Sequence, residues 1–226
     1  MPKHLVDALV STEDERFHDH SGVDFRAVGR AIINVGGAGG ASTITQQLAK
    51  QLYTLQLRER QELARANGEN IESGSSGRIG RMWRRLNEKA RENIIATRLE
   101  ARFTKEEIIT MYLNTVDFGN NSFGIKAAAR TYFNTSPSKL SAAQAATLVG
   151  ILKGVTLYSP TRNPERALGR RNLILSKMAE EGYIDEQIFE ASKQTDLGLN
   201  FKPTSHSDGL ATYFRAILKQ DIQKTF

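Results

Sequence analysis

Three times along these 226 residues a serine or threonine stands three positions ahead of a glutamine or glutamate and opens a helical run: Thr43 with Gln46, Thr104 with Glu107, and Ser141 with Gln144. At that spacing the hydroxyl accepts from a free N–H of the first helical turn while the longer side chain reaches back to another, so each pair marks a helix start. Asn163 and Pro164 read similarly, as N-cap and first residue of a long helix ended by Gly182, and Asp185 starts one more. No alternating strand pattern or Asn-Gly hairpin of convincing length accompanies them. The expected fold class is predominantly α.

One acidic residue sits where such a helix carries apolar ones. Leu5, Leu9 and Phe17 recur at intervals of four and Glu13 completes the ladder, so a helix begun by Pro2 turns Glu13 toward the interior or a cleft wall. A carboxylate in partly apolar surroundings is disfavoured as an anion, which suits it to proton transfer. The commoner setting of a carboxylate at a helix margin is a solvated or ion-paired surface, and spacing alone does not separate the two.

Within thirty residues comes a glycine-rich loop, Gly36 to Ser42 (GGAGGAS), opening directly into TITQQLAKQLY. A helix capped by Thr43 and Gln46 points free N–H groups and the positive end of its dipole at whatever occupies that loop. Gln46, Lys50 and Tyr53 share one face of it, while Ile44, Leu48, Leu52 and Leu55 form the buried face. This is a candidate phosphate site. Neither a P-loop nor a dinucleotide fingerprint is present, so nothing points to a nucleotide.

A net charge of +6 and a pI near 9.6 favour an anionic partner, whether pyrophosphate, membrane or nucleic acid. Cysteine is absent, which excludes disulfides, thiolate catalysis and cysteine-based zinc sites. No apolar run reaches the length of a membrane-spanning helix, and no apolar stretch behind Lys3 would serve as a signal peptide. Phe25, Val28, Ile32 and Val35 trace a helical stripe that the glycines from position 36 end, and Glu72 to Gly77 (ESGSSG) reads as a flexible linker. Ile79, Met82, Trp83, Leu86, Ala90, Ile94 and Thr97 form the less polar stripe of a helix in which eight basic residues stand against three acidic ones between Arg78 and Arg102. Such a helix lies at a membrane surface, lines an anionic cleft, or is simply solvated.

Taken together, EDERFHDHSG (Glu13 to Gly22) and GASTITQQLAKQLY (Gly40 to Tyr53) closely resemble the first two motifs of the peptidoglycan glycosyltransferases, glycosyltransferase family 51. These are the polymerase domains of bifunctional penicillin-binding proteins and the monofunctional transglycosylases. Lys89 and Glu92 in EKARE look like the third motif, KEEIITMYLN (Lys105 to Asn114) like the fourth, and GIKAAARTYF (Gly124 to Phe133) like the fifth. The resemblance runs in the family's order from about Ala8 to Tyr183.

The resemblance implies a lysozyme-like fold with a larger globular lobe and a smaller membrane-facing one. It implies a glycosyltransferase domain over residues 1–200, with the start of a linker or following domain at 201–226. The implied reaction transfers a lipid-pyrophosphate-linked glycan, with inversion, to the 4-hydroxyl of lipid II. Glu13 would be the general base and Glu92 the second catalytic carboxylate. Asp14, Phe17, His20, Ser42, Thr43, Gln46, Gln47, Lys50, Lys89, Asn114 and Arg162 would bind substrate. A divalent cation, magnesium or manganese, is a candidate companion of the pyrophosphate at Asp14 or Glu92, and no organic cofactor is expected. The implied partners are lipid II, the lipid-linked glycan strand and the membrane surface, not nucleic acid. Members usually carry an N-terminal membrane anchor and often a C-terminal transpeptidase, so these residues read as a catalytic domain from a longer protein. Its implied address is the extracytoplasmic, periplasmic side of the bacterial cytoplasmic membrane.

Two positions depart from the pattern. Glu88 stands where the third motif normally has an arginine, and Thr110 where the fourth usually has an acid. The first removes a positive charge near the implied pyrophosphate, and Arg84, Arg85 and Arg91 are the candidates to restore it. Three rivals stay open. A lysozyme-like glycan cleaver shares a single essential glutamate but needs no pyrophosphate site. A basic nucleic-acid-binding domain leaves Glu13 and Asp14 unexplained and wants more interleaved aromatics than Trp83. A non-catalytic scaffold is the reading that Glu88 leaves room for.

Overall fold

The computed structural model of the chain describes residues 1–33, 42–67 and 78–203. Most of the glycine-rich loop (36–41), the linker at 72–77 and the C-terminal segment 204–226 lie outside the described residues. The described residues form α1 (Lys3–Glu13), α2 (Phe25–Ile33), α3 (Ile44–Ala66), α4 (Arg78–Glu100), α5 (Lys105–Thr115), α6 (Ile125–Phe133), α7 (Ala142–Leu152), α8 (Pro164–Glu180) and α9 (Glu186–Gln194). Among them the sole β feature is a bridge between Asp117 and Phe123. The class is predominantly α, as the helix starts indicate.

All three capping boxes form. Thr43 Oγ1 accepts from the Gln46 N–H at 3.1 Å while Gln46 Oε1 accepts from the Thr43 N–H at 3.0 Å. Thr104 with Glu107 opens α5, and Ser141 with Gln144 opens α7, in the same reciprocal manner. Asp185 caps α9 through the Ile188 N–H. Asn163 does not cap: its amide instead donates to the Thr156 carbonyl at 2.9 Å, and Pro164 opens α8 unaided.

The core gathers around α7, every residue of which from Ala145 to Ile151 is buried. Its alanines let α1 and α8 approach closely, and Leu5 and Leu9 of α1, Ile174, Leu175 and Met178 of α8 fill the space between them. α5 and α6 add Ile108, Tyr112, Leu113, Ala128 and Tyr132. Gly124, at φ +78°, opens α6 so close to the Asn114 carbonyl that no side chain fits.

α3 starts in this core with Ile44 and Leu48 and then runs out beside α4, its main partner. α4 packs through Asn93, Ala96 and Glu100, whereas Met82, Trp83, Leu86 and Ile94 on its less polar stripe are each more than half exposed. That stripe faces outward because the side of α4 that meets α3 is polar and hydrogen-bonded.

Candidate active site

α1 stops at Glu13 instead of carrying the apolar ladder on to Phe17. Asp14 leaves helical geometry at φ −161°, ψ 72°, and Phe17 is buried from a short 3-10 turn. The reason is tertiary. Asp14 is itself buried, and its Oδ2 accepts from the Ile44 N–H at 3.0 Å, so it caps α3 from thirty residues away. His20 Nε2 donates to the same carboxylate at 3.0 Å, and the Gly22 N–H donates to His20 Nδ1 at 3.1 Å, which assigns the ring proton to Nε2.

Gly22 completes the junction. Its φ is +94°, a Cβ there would stand 2.9 Å from the backbone of Ala96 in α4, and its carbonyl accepts from Thr43 Oγ1 at 2.6 Å. Lys105 closes the arrangement, donating to the His20 carbonyl at 2.6 Å and to Glu100 at 2.9 Å, with its ammonium 4.4 Å from the Phe17 ring centre. Thr45 Oγ1 donates to Glu100 as well, at 2.6 Å. The turn after Glu13 is thereby fixed to α3, α4 and α5 at once.

A cleft of about 420 Å³ opens between α3 and α4, lined by Ser42, Gln46, Gln47, Lys50, Arg85, Glu88, Lys89 and Glu92. Positions 85, 88, 89 and 92 fall at i, i+3, i+4 and i+7, one face of α4. Lys89 Nζ donates to Ser42 Oγ at 2.9 Å and to Glu92 at 3.2 Å. Lys50 and Arg85 have no ion-pair partner among the described residues. Three cations against two carboxylates leave the cleft with one positive charge in excess.

Gln47 joins this cleft to Glu13. Its Nε2 donates to Glu13 Oε2 at 2.9 Å, and its Oε1 accepts from the Tyr112 hydroxyl at 2.8 Å. Burial, with the Glu13 charge adding to it, pushes the ionisation of Tyr112 far upward, so the phenol stays protonated. A half-buried carboxylate thus stands beside a cationic cleft, with one neutral amide between them.

The residues singled out in the sequence separate into three groups. Glu13, Ser42, Gln47, Lys50, Lys89 and Glu92 converge on the cleft or its edge. Asp14, Phe17, His20 and Thr43 lie beside them and are engaged internally, as is Gln46, although it lines the cleft. Phe17 is fully buried, and the Gln46 amide, besides capping, donates to Asn93 of α4 at 2.8 Å. Asn114 is exposed at the end of α5, and Arg162 acts on the Tyr132 hydroxyl beside Asn120 and Asp117, so among the described residues neither is joined to the cleft by a hydrogen bond or ion pair. Of the three arginines offered against Glu88, Arg85 lines the cleft, while Arg91 bonds to the Tyr53 hydroxyl and stacks over its ring. Tyr112 and Lys105 escaped residue-level reading. Both lie in KEEIITMYLN, but only the pairing of α5 with α3 and with the first turn shows what they hold.

A family model described as Transglycosylase matches residues 1–179. The chain is 34% identical over 226 residues to penicillin-binding protein 2a of Streptococcus pneumoniae, spanning 98% of this chain and 27% of that protein. It is 38% identical over 194 residues to penicillin-binding protein 1A of Aquifex aeolicus, spanning 84% of this chain and 23% of that protein. A crystal structure of penicillin-binding protein 1A from Haemophilus influenzae aligns with a TM-score of 0.44 at 30% identity, over 54% of this chain and 18% of the other. The chain therefore spans about a quarter of the length of the curated relatives it matches.

Proposed function

The chain belongs to the transglycosylase family, and on that footing we propose that its cleft polymerises peptidoglycan glycan chains from lipid-linked precursors. The observation that carries the reading is the meeting at Gln47 of a candidate base, Glu13, and a cleft with surplus positive charge.

A diphosphate leaves readily once its charge is met, so the work falls on deprotonating the acceptor and neutralising the departing group. The 4-hydroxyl of lipid II gives its proton to Glu13 as its oxygen bonds to the anomeric carbon of the donor sugar. The lipid diphosphate departs from the opposite face with the bonding electrons, inverting the centre. Lys50, Arg85 and Lys89 supply the charge-assisted contacts to the diphosphate. Glu92 holds Lys89 in place and is the second carboxylate of the site.

Asp14 is buried and already accepts from His20 and from the Ile44 N–H, so the carboxylates that line the cleft are better placed than Asp14 to meet a metal. A magnesium or manganese ion accompanying the diphosphate would find its protein oxygens at Glu88 and Glu92, and would add to the neutralisation of charge. Met82, Trp83 and Leu86, exposed on the helix that walls the cleft, fit a membrane surface from which a lipid-borne substrate is drawn. No described helix is long and apolar enough to cross a membrane. A membrane anchor, a transpeptidase domain and an extracytoplasmic address belong, in this reading, to the longer protein, with residues 1–200 as its glycosyltransferase domain.

The test is incubation with lipid-linked disaccharide precursor. Polymer should form, and Glu13→Gln should lower its rate by about a thousandfold while leaving affinity for a donor-mimicking phosphoglycolipid intact. Substantial polymerisation by Glu13→Gln, or shortening of added glycan in place of synthesis, would overturn the proposal.

A further inference from the structure

We propose that Tyr112 is a positioning residue of the reaction, whose buried hydroxyl fixes the Gln47 amide so that its N–H, and not its carbonyl, faces Glu13. The inference rests on the reading of Glu13 as base. A glutamine amide has two orientations of nearly equal shape, and reversing it would set a carbonyl oxygen against the carboxylate. Tyr112 makes the orientations unequal. Its side chain is 1% exposed, and among the described residues Gln47 Oε1, at 2.8 Å, is the acceptor for its O–H. Turning the amide would strand that buried proton without a partner. The phenol stays protonated because burial and the nearby Glu13 charge both oppose its ionisation.

The contact is held in register from one turn away. Thr115 Oγ1 lies 2.9 Å from Gln51 Oε1 and shares its one proton between that oxygen and the Met111 carbonyl, also at 2.9 Å, so α5 meets α3 at two successive glutamines. The first glutamine reaches Glu13 and the second does not. Tyr112 therefore acts on the carboxylate at one remove, without touching substrate, and its effect belongs in turnover and not in affinity.

The experiment compares the wild-type chain, Tyr112→Phe, Gln47→Ala and the double variant on lipid-linked disaccharide precursor, each confirmed folded by its melting transition. Tyr112→Phe should lower kcat about tenfold with KM within about twofold, and the double variant should be no slower than Gln47→Ala alone. In parallel, 15N NMR should show one protected, shifted Gln47 side-chain amide proton that Tyr112→Phe releases. An unchanged kcat, a loss carried by KM, or losses that multiply in the double variant would each overturn the proposal. Absence of polymer from the wild-type chain instead overturns the functional reading, and an amide signal unaltered by Tyr112→Phe then overturns the positioning independently.

Discussion

Arg171 and the cleft trio of Lys50, Arg85 and Lys89 carry the same sign of charge in opposite settings. Arg171 is wholly buried, and each of its nitrogens has an acceptor: Nε and Nη2 meet Asn172 Oδ1, Nη1 the Asp196 carbonyl at 2.6 Å, and Nη2 also the Thr195 carbonyl at 2.8 Å. These carbonyls end α9 and the segment after it, the negative end of a helix dipole. In the cleft, by contrast, Lys50 and Arg85 are exposed and lack carboxylate partners among the described residues, and Lys89 shares Glu92. A cation whose donors are all used is a fastener. One whose donors are left over is a capacity for something not in the chain.

That contrast predicts opposite phenotypes, and the larger effect should fall on the fastener. Arg171→Ala leaves three carbonyl acceptors and the Asn172 amide without their donor inside the protein. It should cost about 3 kcal/mol of stability, measured by denaturant unfolding, because the hydrogen bonds that tie α8 to the end of α9 are lost and the space filled by the wholly buried side chain is left empty. The fraction that remains folded should turn over at the wild-type rate. Reduced turnover per folded molecule would break the comparison by giving Arg171 a share in the site.

Lys50→Ala should do the reverse. Its loss removes one charge-assisted contact to the diphosphate, about tenfold or more in donor affinity or turnover, while the melting transition stays within a degree or two of wild type. A large drop in melting temperature, with donor binding intact, would show that Lys50 is a fastener after all.

The helices were legible because their starts are written locally. Thr43 with Gln46, Thr104 with Glu107 and Ser141 with Gln144 need only each other and the first turn. Glu13, Lys50 and Lys89 were legible as candidates through motifs that place charge next to a helix face, and the fold brings them to one cleft and its edge. What the sequence does not carry is where side chains point once distant segments meet. Asp14 and His20 have the composition of ligands, yet one caps α3 from thirty residues away and the other holds that cap. α1 stops at Glu13 for the same reason, a cap that exists only after α3 has docked. Asn163 makes no cap: its Nδ2 donates across a turn to the Thr156 carbonyl, and its Oδ1 accepts no first-turn N–H. Tyr112 reads as one more core aromatic until α5 lies on α3 and its hydroxyl meets Gln47.

The smallest effect concerns a satisfied group that titrates. Asp24 is buried at the start of α2, where it accepts from the Ala27 and Arg26 N–H groups at 3.0 Å each and from Arg16. Burial by itself would raise its pKa, but the Ala27 amide, Arg16 and the Arg26 amide together outweigh it and hold the carboxyl below the ordinary aspartate range. A folded-state pKa depressed in this way contributes stability that is present above the unfolded value, near pH 4, and is lost as pH falls through the folded one. Asp24→Asn keeps the shape and gives up the charge. It should lower stability by about 1 kcal/mol at pH 7, and the gap from wild type should close as pH falls below the ordinary aspartate range and through the depressed folded-state value, where both side chains become neutral. Arg171, whose hydrogen-bond acceptors are all neutral and whose one charged neighbour is Asp196, should converge far less: most of the gap between Arg171→Ala and wild type should persist in acid. A gap for Asp24→Asn that persists unchanged in acid would mean that its charge contributes nothing to the cap, and that α2 is held by hydrogen-bond geometry alone.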